Sequence, residues 1–384
     1  MSGALAGVKV LDLTSHVSGP YCTMLLADFG ADVIKVERPH SGDDARRMPP
    51  FAGGEGAPFM LINRNKRSVV LDLKKPDDLA LCRTLVRQAD VLVENFKPGT
   101  MAQLGLGYED AAALNPRLIY ASISGFGQTG PLSDLGGFDL MIQAMSGLMS
   151  ICGPADGPPH RLPVPITDIA AGMFGCIGIL TALAARQRSG SGQRVDASLF
   201  EAGLAFAVYE AAAIFAEGRP PERLGQAHRG AAPYEVFRTA DGWLTIGGST
   251  QALWEKLCRT IGAPGLLGDP RFSDNARRVA NRAALTPLIQ EQLAARPTGD
   301  WVAALGAAGI PCGPVWTYDR VLAHEHTRAR EMVRSIDHPR AGRGQTLGFP
   351  VKLSQTPGAL RRPAPLLGEH DGTIRAAAAL GDWP

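Results

Sequence analysis

The first 125 residues alternate short β-branched runs with helical stretches, and this alternation constrains the fold more than any other feature. VKVLDL (8–13), ADVIKVE (31–37), SVVLDLK (68–74), ADVLVENF (89–96) and RLIYASISGF (117–126) read as strands. Pro20 to Phe29 and Pro76 to Arg87 read as helices between them. Strands separated by helices specify βαβ units and a parallel sheet. Functional residues are then expected at the carboxyl ends of the strands. RVDASL (194–199) reads as a further strand, after a long uncharged helix. The fold class expected is α/β, with a parallel sheet.

At roughly 100–200 residues per domain, a chain of 384 residues suggests two domains. The texture changes near residue 218. EGRPPERLGQAHRGAAP (217–233) reads as a linker or crossover, and YEVFRTADGWLTIGG (234–248) as two strands around a turn at Asp241-Gly242. Helical stretches follow at 251–261 and about 275–294. Residues 1–200 are thus expected to form the first part of the large domain and 201–224 a linker. Residues 225–310 are expected to form a smaller α+β domain, and 311–384 a linker and a return to the large domain. GIPCGPV (309–315) is expected to belong to that return.

Composition excludes several function classes. Lys and Arg total 39 against 37 Asp and Glu, a balance that speaks against nucleic acid or a membrane surface as partner. The six cysteines form no Cys-x-x-Cys pair, so neither a zinc site nor a disulfide framework is expected. The start, MSGALAGVKVLDL, reads as a first strand and not as a signal peptide, which gives a cytoplasmic expectation. Residues 169–185 carry no charge and reach the short end of a bilayer span. Their three glycines and several alanines favour close packing inside a protein. The turn after the first strand, LTSHVSGPYC (13–22), has one glycine followed by proline. The G-x-G-x-x-G phosphate cradle is absent, and with it the nicotinamide reading. No GxxxxGK[ST], GxSxG or HExxH occurs, and neither a metal nor a resident cofactor is expected.

Asp168 stands between a Pro-rich loop and the uncharged helix, in RLPVPITDIAAGMFG. Spacing alone favours a helix cap. A helix N-terminus also keeps a carboxylate ionised in partly apolar surroundings, where it can act as a nucleophile. Cap and nucleophile are compatible readings.

A set of motifs runs through nearly the whole chain in order: VLDLTSHVSGP–LLADFGADVIKVERPHSGDDAR, NRNKRSVVLDLK, VENFKPG, LGLGYE, ISGFGQTGP–GGFDLMIQAMSGL, PITDIAAGMFG, SGSGQRVDASL, VANRAAL, AGIPCGPV and APLLGEH. Together they resemble the class III CoA-transferases, the CaiB/BaiF family of formyl-CoA and carnitinyl-CoA transferases. The resemblance implies a large Rossmann-like domain built from both chain ends, a smaller central domain, and two subunits interlocked as a homodimer. It implies transfer of coenzyme A from an acyl-CoA to a carboxylic acid, with coenzyme A and acyl-CoA as substrates and neither ATP nor metal required. The family's catalytic aspartate falls on Asp168, which would pass through acyl anhydride and aspartyl-CoA thioester intermediates.

The resemblance also carries over binding positions. His16 and Val17 occupy the turn whose backbone holds coenzyme A. Arg38 matches an arginine at the nucleotide end, and Leu71, Leu73 and Lys74 line the adenine side. Asn95 lies beside the pantetheine arm, and Asp139 matches an acidic residue near the active site. Gln103 departs from the pattern: many relatives have a phosphate-binding arginine there, and glutamine supplies no charge. Lys97 or Arg64 is the expected substitute. Gly247 and Gly248 sit where formyl-CoA transferase has a longer glycine loop that shields the intermediate. The APYEVF–DGWLTIGG and GQAHRG stretches resemble the branch handling dicarboxylic acids such as succinate and glutarate, with Arg161 or Arg229 as partners for a distal carboxylate. Two rival readings are an α-methylacyl-CoA racemase-like epimerase and a non-catalytic acyl-CoA-binding protein. The racemase branch needs a histidine in the GGFDLM segment, where this chain has Phe138, which cannot move a proton.

Overall fold

The computed structural model describes residues 3–384. Six strands form the main sheet: β1 Lys9–Leu13, β2 Asp32–Glu37, β3 Lys66–Val70, β4 Val91–Glu94, β5 Ile119–Ser124 and β6 Gln193–Ser198. Every neighbouring pair is parallel, and the spatial order is β3-β2-β1-β4-β5-β6. This is the doubly wound order, whose direction reverses between β1 and β4. The α/β, Rossmann-like expectation is borne out. The reversal opens a crevice beyond the carboxyl ends of β1 and β4, where ligands bind in such sheets.

The strands read as continuous apolar runs because both faces of the sheet are covered. Val10, Val33, Val91 and Ile119 point to one side, with α1 (Ser18–Asp28) and the long α4 (Ile166–Ser189) packed on them. Leu11, Ile34, Leu92 and Tyr120 point to the other. There they meet α2 (Pro76–Gln88) and the last helix, Asp371–Ala379. A short helix, α3 (Asp139–Met145), packs against α4.

α4 is long and apolar enough to cross a membrane by length and composition. Its inner face is nevertheless core: Ala170, Ala171, Cys176 and Ile179 are buried in the cluster over the sheet. A Cβ on Gly172 would stand 2.6 Å from the Ser18 carbonyl oxygen. Only glycine lets the two helices approach so closely. Met173, Phe174 and Ile177 face outward.

The chain divides into two compact units. One comprises the residues up to Met149, Arg161–Gly218 and Glu325–Pro384; the other comprises Ser150–His160 and Arg219–His324. The smaller unit has a three-stranded sheet of Tyr234–Arg238 (β7), Trp243–Gly247 (β8) and Cys312–Pro314 (β9), in the order β9-β8-β7. Its core gathers Phe237, Leu244, Trp254, Phe272, Ile289 and Trp301.

Three boundaries differ from the sequence reading. β3 ends at Val70, not Lys74, because the chain turns there: the Lys75 N–H bonds the Asp72 carbonyl, and the Asp72 N–H bonds the Asp78 carboxylate. GIPCGPV does not return to the large unit; Cys312–Pro314 pairs antiparallel with Leu244–Ile246 in the small sheet. Residues 201–224, expected as a linker, hold most of helix Leu199–Leu204 and all of helix Val208–Glu217.

Candidate active site

β1 runs out into the turn Thr14–Val17, and α1 begins at Ser18. A Cβ on Gly19 would stand 2.3 Å from the Thr14 side chain, so the single glycine of this stretch lets that side chain pack directly on the helix backbone. The Asn95 side chain, just beyond β4, crosses to the turn. Its amide donates to the Ser15 carbonyl at 2.8 Å, and its oxygen accepts the Ser15 N–H at 2.9 Å. The two strand ends at the reversal point are thereby tied together. The sequence reading placed Asn95 against the pantetheine arm; in the structure its side chain is engaged by Ser15.

Asp168 lies in the first turn of α4, half-buried. The cap expectation is not met: the N-cap residue is Pro165, with no side-chain cap bond. Nor is the carboxylate kept readily ionised by the helix end. Burial pushes its carboxyl up to about 7, the nearby Asp139 adds to this, and a hydrogen bond with the Ser18 hydroxyl works against it. Asp139 opens α3 and is buried. Its Oδ1 accepts the Thr167 N–H at 2.9 Å and the Thr167 hydroxyl at 2.8 Å, while Oδ2 accepts the Gln143 amide at 2.7 Å. Gln143 in turn donates to and accepts from Leu162, gripping the loop that leads into α4. Asp139 therefore fixes the residue beside Asp168 and biases its charge. A half-buried carboxylate that ionises near neutral pH, with one hydroxyl partner, is equipped to attack a carbonyl carbon.

The remaining expected residues divide. His16 is exposed, its Nε2 3.3 Å from Asp44, and its ring meets Phe138 edge-on at 6.2 Å between centroids. Val17 is the N-cap of α1. Arg38 donates to the Gly42 carbonyl and to Asp44, the same carboxylate that faces His16. These residues gather at the β1 exit with Asp139 and Asp168. Lys97 is exposed and lines a cavity with Glu94, Tyr108, Tyr120 and Arg194. Gln103 is exposed at the end of the short helix Thr100–Gln103. Lys74 is exposed and Leu73 half-buried, but the Leu71 side chain is sealed in the core and offers a ligand only its backbone. Arg64 is no substitute for the missing arginine. It is buried, with Nε and Nη2 clamped on Asp28 and Nη1 on Thr346 and the Leu347 carbonyl. Arg161 is exposed on the loop preceding α4. Gly247, Gly248 and Arg229 belong to the smaller unit, where Arg229 donates to the Glu222 carbonyl.

Sequence reasoning missed Ser18, Thr167 and Gln143. Only a hydroxyl residue at a helix start hinted at the first two; Gln143 on α3 carried no signal.

The model of CoA-transferase family III matches residues 5–371. The chain is similar to acetyl-CoA:oxalate CoA-transferase of Acetobacter aceti, 41% identical over 375 residues that cover 97% of this chain and 95% of that one. It is similar to succinate–glutarate CoA-transferase of Agrobacterium fabrum, 40% identical over 379 residues, 97% of this chain and 95% of that one. Among solved structures, a CaiB/BaiF family protein from Brucella suis superposes with a TM-score of 0.89 at 39% identity, covering 98% of this chain and all of that one.

Proposed function

The chain belongs to CoA-transferase family III, and from that premise we propose that it moves coenzyme A between short dicarboxylic acids, with Asp168 as covalent nucleophile. The observation that carries the reading is the placement of Asp168: half-buried, in the first turn of the helix packed on α1, the helix that follows the β1 exit.

The steps balance without an outside reagent. An Asp168 carboxylate oxygen attacks the donor thioester carbon; the C–S bond breaks, leaving a mixed anhydride and a coenzyme A thiolate. The thiolate attacks the Asp168 carboxyl carbon, expelling the donor acid as its carboxylate and leaving an aspartyl-CoA thioester. The acceptor carboxylate attacks that same carbon and expels the thiolate, forming a second anhydride. The thiolate then attacks the acceptor's acyl carbon, which gives the new thioester and restores Asp168. Splitting one exchange into acyl transfers between groups of similar energy is what the nucleophile contributes. Oxyanions along the path need nearby N–H donors; the Thr14, Ser15 and His16 N–H groups are already engaged, and the Val17 N–H is the candidate source in this turn. Water must be kept out, since anhydrides hydrolyse; Gly247 and Gly248 are candidates for that shielding.

We assign coenzyme A to the backbone of His16 and Val17, with Arg38 at the nucleotide end, Leu71, Leu73 and Lys74 on the adenine side, and Lys97 taking the phosphate role that Gln103 cannot fill. Arg161 and Arg229 are candidates for the distal carboxylate of the acid. The dicarboxylate reading is supported by relatives named for oxalate, succinate and glutarate. A homodimer is part of the same proposal: the large unit exposes Leu140, Ile177, Val208, Tyr209 and Phe215, more apolar surface than an isolated subunit would leave in water.

The test is incubation with succinyl-CoA and a panel of acids (oxalate, glutarate, mesaconate, acetate, benzoate), with mass spectrometry of the acyl-CoA products. Dicarboxylyl-CoA products at rates well above acetyl- or benzoyl-CoA are expected. Equal rates across the panel, or deuteration of a 2-methylacyl-CoA in D₂O without any acceptor, would overturn the reading.

A further inference from the structure

We infer that Asp43 is a positioning residue for the transfer reaction, one that holds His16 in a left-handed conformation and so sets the turn that leads into α1, the helix against which the helix of Asp168 packs. The inference rests on reading Asp168 as the nucleophile.

The turn after β1 has little freedom, because every backbone polar group from the Thr14 N–H to the His16 N–H is held by a side chain. The Thr14 N–H donates to Asp12 at 2.9 Å, and the Thr14 carbonyl accepts from Lys35 Nζ at 2.7 Å. Ser15 is gripped at both N–H and carbonyl by Asn95. The His16 N–H donates to Asp43 Oδ1 at 2.9 Å. These holding groups come from β1, from β2, from the loop beyond β4 and from the loop beyond β2.

His16 itself has φ 66°. Side-chain-bearing residues seldom adopt this conformation, and it persists where the surroundings over-determine it. Asp43 is the group that meets the His16 N–H, and it has little freedom to move. Its Oδ2 lies 2.9 Å from Lys35 Nζ, its Oδ1 also accepts the Ala45 N–H, and its own N–H donates to Glu37. The Lys35 and Asp43 side chains are wholly buried. A buried ion pair is weak evidence for stability, since apolar replacements often serve as well. Here the pair fixes one geometry: Lys35 holds the Thr14 carbonyl with the same ammonium that holds Asp43, and Asp43 holds His16. Two residues further on, Ser18 opens α1, and its carbonyl lies against Gly172 of α4, the helix whose first turn carries Asp168. Asp43 is sealed from solvent, so it acts through His16 and not on substrate.

The test measures kcat and KM for acyl-CoA in D43A, D43N, H16G and the double variant H16G/D43A. D43A is expected to lower kcat about 100-fold, the scale of a misplacement near 1 Å. Glycine adopts positive φ without strain, so adding D43A to H16G is expected to lower kcat by less than about fivefold, a coupling that a merely structural role would not produce. D43N keeps an oxygen for the His16 N–H and is expected to stay within about fivefold of wild type in kcat, while its amide against Lys35 lowers Tm. An equal loss from D43A in both backgrounds would overturn the inference. If D43A does not fold, D43N carries the test: a folded D43N with about a 100-fold loss in kcat would overturn it equally. The coupling between positions 16 and 43 is measured whatever rate D168A shows, so failure of the nucleophile reading is seen separately.

Discussion

Two carboxylates near the β1 exit have opposite chemistry. Asp12 is fully buried, yet its carboxyl is held down at about 2. Burial pushes it up, but Lys35 and Lys66 outweigh that, with help from the hydroxyls of Thr14 and Thr23. Asp168 is less buried, yet its carboxyl is lifted to about 7, with a single hydroxyl in its favour and Asp139 against it. Depth of burial does not decide which carboxylate is reactive; the partners do. Asp12 is a structural charge whose oxygens are fully engaged. Asp168 is left short of partners, as a nucleophile must be.

The contrast predicts opposite outcomes on substitution. D168A is expected to lose transferase activity by about 10⁴-fold or more with the fold retained; retention of even a tenth of the rate would erase the contrast. D12A leaves Lys66 without its carboxylate in the interior, and breaking such a pair costs about 3–5 kcal/mol. Its Tm is expected to drop by about 10 °C, measured by circular dichroism. A drop of under two degrees would mean that the Asp12 network contributes little.

The pH dependence has opposite signs at the two sites. The depressed carboxyl of Asp12 contributes stability that is present above about pH 4 and lost as pH falls through about 2. The raised carboxyl of Asp168 contributes stability that is present below about pH 4 and lost as pH rises through about 7. D168N is therefore expected to match wild type at pH 4 and to exceed it at pH 8 by about 2–5 °C in Tm, a figure discounted for partial exposure. In kinetics, kcat/KM is expected to fall about tenfold per unit as pH drops below about 7. The smallest effect belongs to D139N. It keeps an oxygen for Thr167 but removes the neighbouring charge, so the acid limb of the pH profile is expected to move down by less than about one unit. No movement would show that Asp139 acts only through Thr167.

The sheet was legible because its strands are apolar on both faces: runs such as Val10-Leu11 and Val33-Ile34 identify themselves. Asp168 was legible as a position and, through the motifs, as a role, but its electrostatics were misread. Sequence shows a helix start and suggests an ionised carboxylate; it does not show that burial and Asp139 work the other way. Asn95 was assigned to ligand through the family resemblance, and Arg64 as a nearby cation to replace the arginine missing at Gln103. Their partners, Ser15 and Asp28, are 80 and 36 residues away and become visible only when the chain folds. Cys312–Pro314 was misplaced for a related reason. A three-residue strand has no periodicity to read, and its partner β8 lies far back in the chain.

The most direct test of the contrast is a mass spectrum of the protein mixed with acyl-CoA in the absence of acceptor, quenched with hydroxylamine and digested. A hydroxamate on Asp168, abolished in D168N and never found on Asp12, is the expected result. An unmodified Asp168 peptide under these conditions, or an adduct on a different residue, would contradict the claim that this under-partnered carboxylate is the nucleophile.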